Sequence, residues 1–135
     1  MDRRHFVINA SAAAGLLAIK PFGFGMEPAV AAKRIGDRVM LGKTGIEVSR
    51  MAMGTGTNGY GQNSNQTRQL GLKGLADLLR AGYERGIFFW DSADQYGTHP
   101  HLREALKSVP REKVVILSKT HASTEDEMRA DLDRF

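Results

Sequence analysis

Cysteine is absent from the 135 residues of the sequence. Its absence excludes disulfide bridges, thiolate catalysis, and zinc or iron–sulfur sites with cysteine ligands. We predict no metal site of another kind. No apolar run approaches the ~20 residues that a membrane-spanning helix needs. A dense basic run is missing as well, because the 19 Lys and Arg and the 15 Asp and Glu are spread along the chain. A net charge of +4 in this distribution does not favour nucleic acid as a partner.

The remaining composition is that of one small globular domain. Hydrophobic residues make up 41% of the chain and charged residues 25%, which is typical of a soluble protein. A large enzyme domain does not fit this length. Neither a solenoid repeat nor a low-complexity tract competes with a single domain.

Residues 1–31 have the three-part order of an export signal. The adjacent Arg3 and Arg4 are followed by an apolar, Ala-rich stretch at 7–19 and by a small-x-small cleavage site that ends at Ala31. The paired arginines and the apolar residues behind them resemble the twin-arginine export signal. A disordered basic N-terminus that carries an arginine pair by chance is the alternative interpretation.

This resemblance implies a twin-arginine signal peptide at residues 1–31 and an exported, periplasmic domain at residues 32–135. The twin-arginine translocase would be a partner that reads Arg3 and Arg4, and it carries proteins that are already folded, often around a cofactor. An exported, cofactor-binding protein is therefore the leading class.

Short apolar segments separated by turn residues predict the strands of this domain. Alternation on either side of the Gly-bounded tetrapeptide 42–45 predicts a β-hairpin over residues 38–49. Three further strands are predicted at 51–53, 87–90 and 114–117. The last two are continuous apolar runs, which is typical of strands buried on both faces of a parallel sheet. The predicted aromatic core residues are Phe88, Phe89 and Trp90.

Helical signals alternate with these strands. Apolar residues at three- and four-residue steps predict a helix over Thr67–Arg85 that ends before Gly86. A second predicted helix carries Leu102 to Val109 and stops at Pro110, and a capping box at Thr124–Glu127 begins a third. Strands and helices in this order predict an α/β fold with a parallel sheet and right-handed crossovers.

Two predicted strands end beside ionisable residues of opposite charge. Asp91 closes one strand and Lys119 follows the next. Because the carboxyl ends of parallel strands meet at one edge of a sheet, we expect these two side chains to be neighbours. Tyr96 lies on the loop behind Asp91, and an ammonium next to a phenol lowers the pKa of the phenol from about 10. The trio is a candidate proton donor; an ordinary salt bridge near a surface tyrosine is the alternative.

Four ordered blocks of sequence resemble the aldo/keto reductase family. They are Leu41–Ser49, Met53–Gly56, Gly86–Gly97 and Ile116–Lys119, and the resemblance extends from Arg38 to the end of the chain. It implies a (β/α)8 TIM barrel that reduces aldehydes and ketones with NADPH. This chain would supply the N-terminal β-hairpin and the first three βα units.

Within that resemblance, three residues match the family's catalytic tetrad. Asp91 looks like the tetrad aspartate, Tyr96 like the general acid that protonates the carbonyl oxygen, and Lys119 like the lysine that lowers the pKa of the tyrosine. The tetrad histidine follows a fourth barrel strand in the family and is absent from this chain. The histidines that do not match its position are His99, His101 and His121.

The loop after the first barrel strand is expected to line the nicotinamide end of NADP. Its residues are Gly54, Thr55, Gly56 and Thr57. Gly54, Gly56 and Gly59 also match the G-x-G-x-x-G dinucleotide fingerprint. That fingerprint opens a helix, whereas polar loop residues follow Gly59, so we reject a Rossmann fold.

The predicted elements supply three of the eight strands that a closed barrel needs. We therefore expect an N-terminal fragment of an exported NADPH-dependent reductase, from a truncated gene or an incomplete gene model. It would be inactive alone, because the histidine and most of the NADP site are missing, while the parent acts on a small carbonyl substrate. The alternative is a non-enzymatic exported fragment that acts by self-association or by binding a partner. A flavodoxin-like domain would need more strands.

The twin-arginine assignment predicts that export requires the arginine side chains of Arg3 and Arg4, not only their positive charge. Replacing Arg3 and Arg4 together by lysine keeps the charge but removes the recognised pair, so we expect export and processing to be lost. Immunoblots of periplasmic and cytoplasmic fractions measure this. Normal processing of the Lys-Lys variant would contradict the assignment.

Overall fold

The computed structural model of the protein describes residues 31–135. The export signal predicted at residues 1–31, with Arg3 and Arg4, lies outside the described residues apart from Ala31. Within the described range, no helix combines the length and the hydropathy that crossing a bilayer requires.

An antiparallel hairpin precedes the main sheet. Strand β1 (Arg38–Met40) pairs with β2 (Glu47–Ser49), and Val39 lies opposite Val48. Gly45 in the connecting turn has a φ of 75°, in the left-handed region that glycine tolerates best. The predicted hairpin is confirmed, with each strand one residue shorter than expected.

The main sheet consists of three parallel strands in chain order. Strands β3 (Ala52–Gly54), β4 (Phe89–Asp91) and β5 (Val115–Leu117) lie side by side, with β4 in the middle. The register aligns Gly54 with Asp91 and Asp91 with Leu117, so the three strands end level. The predicted α/β fold with a parallel sheet is confirmed.

Three helices connect and follow these strands. They are α1 (Asn65–Glu84), α2 (His99–Ala105) and α3 (Glu125–Arg134). The predicted capping box begins α3: the Thr124 hydroxyl accepts a hydrogen bond from the Glu127 amide, and the Glu127 carboxylate accepts one from the Thr124 amide. These hydrogen bonds satisfy backbone donors that the helix itself leaves free.

Two helices depart from their predicted boundaries. Helix α1 begins earlier than expected, because the Ser64 side chain caps it and accepts a hydrogen bond from the Thr67 amide. Gly71 interrupts α1 with φ 62° and ψ −174°, a conformation that residues with a Cβ rarely adopt. Helix α2 ends at Ala105 rather than at Val109, although Val109 is still buried.

The core lies between one face of the sheet and the helices α1 and α2. Met53, Trp90 and Ile116 occupy matching positions on β3, β4 and β5, and they pack into the same cluster as side chains of α1 and α2. The predicted burial of Trp90 and Phe88 is confirmed. The buried members of the cluster are Leu75, Ala76, Leu79, Phe88, Trp90, Leu102, Ala105, Val109 and Val114.

The opposite face of the sheet is partly open. Successive side chains of a strand point to opposite faces, so Phe89 and Leu117 lie on the side away from Trp90. Phe89 is only half-buried, and Leu117 is 42% exposed. The prediction that these strands are buried on both faces, with Phe89 in the core, is wrong for the described residues. An apolar run marks a strand but does not say which of its faces a helix covers.

One buried hydroxyl joins the hairpin to the sheet. Ser49 Oγ donates to the Met51 carbonyl at 2.7 Å, and it accepts from the amides of Phe88 at 3.1 Å and Phe89 at 3.0 Å. Ser49 is buried, so these groups have no ready replacement partner in solvent.

Replacing Ser49 by alanine should therefore destabilise the protein. Two amides and a carbonyl lose their partner, and we expect the free energy of unfolding to fall by about 1–3 kcal/mol. Urea unfolding followed by the fluorescence of Trp90, the single tryptophan, measures the loss. Exposed Ser123 provides the matched control, Ser123→Ala. Equal stability of the two variants would contradict the expectation.

Candidate active site

The candidate site lies at the edge where the parallel strands end. Asp91 is the last residue of β4, and Lys119 follows β5 by two positions. The Lys119 ammonium contacts the Asp91 carboxylate, with Nζ 2.5 Å from Oδ1. The strands end level, so a lysine just past β5 reaches an aspartate at the end of β4. The expected neighbourhood of the two charges is therefore observed.

Tyr96 joins this pair through the face of its ring. It ends a short 3₁₀ turn, Asp94–Tyr96, which follows β4. Lys119 Nζ lies 5.2 Å from the centre of the Tyr96 ring, within the range of a cation–π contact. One ammonium thus contacts the Asp91 carboxylate and the Tyr96 ring together. The three candidate residues Asp91, Tyr96 and Lys119 are thus brought to one place.

The glycine-rich loop after β3 packs on the same tyrosine. A Cβ added to Gly56 or to Gly59 would overlap carbon atoms of the Tyr96 ring. The Gly59 amide also donates to the Gly56 carbonyl at 2.8 Å and closes a tight turn. The spacing of these glycines therefore accommodates an aromatic ring. The glycine loop opens no helix, because α1 begins only at Asn65. This agrees with the rejection of a Rossmann fold.

A chain of buried hydroxyl groups lies next to the ends of β3 and β4. The Thr55 hydroxyl donates to the Asp91 carbonyl at 2.9 Å, and it lies 3.0 Å from the Thr98 hydroxyl. Thr98 Oγ1 lies 2.7 Å from Ser92 Oγ. Since Thr55 donates to the carbonyl, it accepts from Thr98, and Thr98 accepts from Ser92. The three hydroxyls tie together the ends of β3 and β4 and the start of α2.

Thr55 differs from its neighbours in the loop in that it is fully buried. Its residue is 1% exposed and its hydroxyl faces the protein, so the side chain holds the loop in place rather than lining a pocket. Gly54 has open space where a Cβ would stand. Thr57 is exposed, and it is held to α1 by Gln66, whose amide group donates to the Thr57 hydroxyl at 2.8 Å and accepts from its main chain at 3.1 Å.

Sequence reasoning missed Ser92 and Thr98. A usable signal was present: each parallel strand is followed within one residue by a hydroxyl side chain, at Thr55, Ser92 and Ser118. Strand ends that lie level bring such residues close together. The position before a helix, which Thr98 occupies ahead of α2, favours the same residue types.

Two of the remaining histidines, His99 and His101, belong to α2. His99 Nε2 is 2.8 Å from Ser118 Oγ, and its ring lies 4.4 Å from the Phe135 ring. Burial lowers the pKa of His99, and the nearby Arg134 and Arg103 act in the same direction against the opposing effect of Asp94. His99 is therefore a neutral imidazole at neutral pH.

His101 is buried in α2. Burial lowers the pKa of this imidazole as well, against the opposing effect of the backbone of Gly97 and Thr98. His121 is exposed on the loop after Lys119.

Comparison with known proteins gives relatives in one family. Residues 50–134 match the model of the aldo/keto reductase family. Versiconal hemiacetal acetate reductase of Aspergillus parasiticus is 34% identical over 92 residues, which are 64% of this chain and 26% of that protein. Probable aldo-keto reductase 1 of Glycine max is 35% identical over 84 residues, 60% of this chain and 23% of that protein. The chain thus spans about a quarter of the length of the curated relatives it matches.

A solved structure shows the same fold. The thermostable aldo-keto reductase Tm1743, in complex with the inhibitor epalrestat, superposes with a TM-score of 0.52 at 29% identity. The match covers 68% of this chain and 35% of that one. Aldo-keto reductases are (β/α)8 barrels, so the parallel sheet described above corresponds to part of a barrel.

The packing of Tyr96 on the glycine loop is testable by a single methyl group. Gly56→Ala should force the loop and the ring apart, and we expect the free energy of unfolding to fall by about 1–3 kcal/mol. Gly54→Ala is the matched control, because its Cβ meets open space, and its effect should stay within about 0.5 kcal/mol. Urea unfolding of both variants measures these two changes in the free energy of unfolding. Equal effects would show that Tyr96 does not rest on Gly56.

Proposed function

The chain belongs to the aldo/keto reductase family, and from this premise we propose that Asp91, Tyr96 and Lys119 form the N-terminal share of a site that reduces aldehydes or ketones with NADPH. One observation carries the proposal. A single ammonium, that of Lys119, contacts both the Asp91 carboxylate at 2.5 Å and the Tyr96 ring at 5.2 Å. An isolated surface salt bridge would not include the phenol.

Each of these three residues has one task in the reaction. Tyr96 gives its phenolic proton to the carbonyl oxygen of the substrate, and the carbonyl carbon accepts a hydride, so that an alcohol forms. The Lys119 ammonium favours the phenolate that remains. Asp91 holds the lysine in place and balances its charge. NADPH, when bound, supplies the hydride.

We assign the nicotinamide end of the cofactor to the loop of Gly54, Thr55, Gly56 and Thr57. Gly54 ends β3 level with Asp91, and it offers open space where any other residue would carry a side chain. Exposed Thr57 lies at the other end of the loop. We assign contact with the cofactor to Gly54, Gly56 and Thr57, and we assign to Thr55 the support of the loop from within.

The 135-residue chain is proposed to lack reductase activity by itself. Its sheet has three parallel strands in the described residues, whereas a closed barrel has eight. The face that carries Asp91 also carries Leu117, which is partly exposed. A substrate bound there would be open to water, which weakens the electrostatic contacts that catalysis uses.

Export belongs to the same proposal and rests on sequence. Arg3 and Arg4 stand at the head of a signal-like segment, and the twin-arginine translocase would carry the folded domain to the periplasm. The reductase is thus proposed to act on small carbonyl compounds outside the cytoplasm.

A second candidate function, association with another chain, is favoured by the open face of the sheet. Phe89 is half-buried and Leu117 is partly exposed there, and β3 and β5 are edge strands of the described sheet. Exposed edges of this kind pair readily with other strands. A discrete oligomer in size-exclusion chromatography, with cooperative unfolding, would favour this candidate over an incomplete enzyme.

The catalytic proposal is tested by removing one oxygen atom. In the intact gene product, Tyr96→Phe should lower kcat for carbonyl-dependent NADPH oxidation by about 10²–10⁴, while the Kd of NADPH stays unchanged. Tyr60→Phe is the matched control, because Tyr60 is 82% exposed. Full activity of Tyr96→Phe would refute the role of the phenol. In the same assay the 135-residue chain alone should be inactive. Tyr96-dependent turnover by that chain would overturn the proposal that it lacks reductase activity.

A further inference from the structure

Helix α3 is attached to the molecule in an unusual way for an amphipathic helix. None of its side chains is buried, and Leu132 is 66% exposed. A cavity of about 510 Å³ lies between α3, α2 and the end of β5, with Leu106, Ile116 and Met128 among its apolar lining. Apolar packing of the kind that usually fixes a helix is therefore slight here.

Polar contacts at the C-terminal end of α3 take its place. The Asp131 carboxylate accepts a hydrogen bond from the Thr120 hydroxyl and pairs with Arg134 at 2.5 Å. Arg134 also reaches the Asp94 carboxylate at 2.9 Å. The Asp131 side chain is only 15% exposed, although that of Arg134 is 55% exposed, so the carboxylate of the pair is largely shielded from solvent.

The two loops that this pair touches are those of the candidate site. Thr120 directly follows Lys119, and Asp94 begins the 3₁₀ turn that ends on Tyr96. The loops are also joined to each other, because the Asp94 amide donates to the Lys119 carbonyl at 2.9 Å. A carboxylate–guanidinium pair on one helix thus binds both loops at once.

We propose that Asp131 and Arg134 are positioning residues of the reductase site, which hold the loop of Tyr96 and the loop of Lys119 at their working separation. The inference rests on the function proposed above. Neither residue is assigned a contact with substrate. Their effect passes through Asp94 and Thr120, and a shift of either loop changes the distance between the ammonium and the phenol. Displacements of about 1 Å in such groups cost up to ~10²-fold in rate.

Two substitutions on α3 test the proposal against a matched control. Arg134→Gln removes the contact with Asp94, and Arg134→Lys keeps the charge. Arg129→Gln removes the Arg129–Glu125 pair, an exposed ion pair of the same helix at 2.6 Å that touches neither loop. Each glutamine variant removes one ion pair within the helix, Arg129–Glu125 or Arg134–Asp131, and only Arg134→Gln also removes the contact with Asp94.

Two readouts are needed, one of which does not depend on activity. In the 135-residue chain, hydrogen exchange of the Asp94 amide should become about two- to fivefold faster in Arg134→Gln than in Arg129→Gln. In the intact gene product, Arg134→Gln should lower kcat about tenfold with little change in the KM for NADPH. Arg134→Lys should recover part of both losses.

The outcomes separate this inference from the proposed function. Equal Asp94 exchange in Arg134→Gln and Arg129→Gln overturns the inference, and so does faster exchange with unchanged kcat in an active enzyme. Absence of carbonyl reduction by the intact wild-type protein overturns the proposed function and, with it, the catalytic meaning of these contacts. The exchange measurement then still decides whether Arg134 holds the loop.

Discussion

The contact between the Asp91 carboxylate and the Lys119 ammonium joins the ends of two parallel strands, and the geometry of the candidate site depends on it. Strand register brings the two side chains to one edge, and the pair then places the ammonium over the Tyr96 ring. Both side chains are partly exposed, so their attraction contributes about 0–1 kcal/mol to stability. Its importance is geometric, because it sets where the Lys119 ammonium stands relative to the Tyr96 ring.

The surroundings of this contact are built to keep the tyrosine in place. Gly56 and Gly59 leave room for its ring, and Gly97 ends its turn in the left-handed region, where a Cβ would collide with the Gln62 backbone. The glycines thus make room for the protein's own side chain, and a dinucleotide phosphate is not needed to explain them. A spacing that resembles a nucleotide fingerprint arises here from packing around Tyr96.

Local signals made much of this arrangement predictable from sequence. The hairpin, the order of strands and helices, the capping box of α3 and the strand-end residues Asp91 and Lys119 all follow from patterns within a few positions. What escaped prediction depends on distant parts of the chain. The half-exposed face of Phe89 depends on where the helices lie, and the hydroxyl chain of Thr55, Thr98 and Ser92 depends on strand ends that lie level. The break at Gly71 has a local cause, yet an isolated glycine in a helical pattern does not announce a change of φ.

The most direct test of the arrangement is the proton chemical shift of the Lys119 ε-methylene group. An ammonium 5.2 Å from the centre of the Tyr96 ring carries that methylene into the shielding region of the aromatic face. We predict an upfield shift that disappears in Tyr96→Leu and shrinks in Asp91→Asn, because the carboxylate no longer holds the lysine over the ring. A methylene resonance at the position of an exposed lysine, unchanged by either substitution, would contradict the shared site of Asp91, Tyr96 and Lys119.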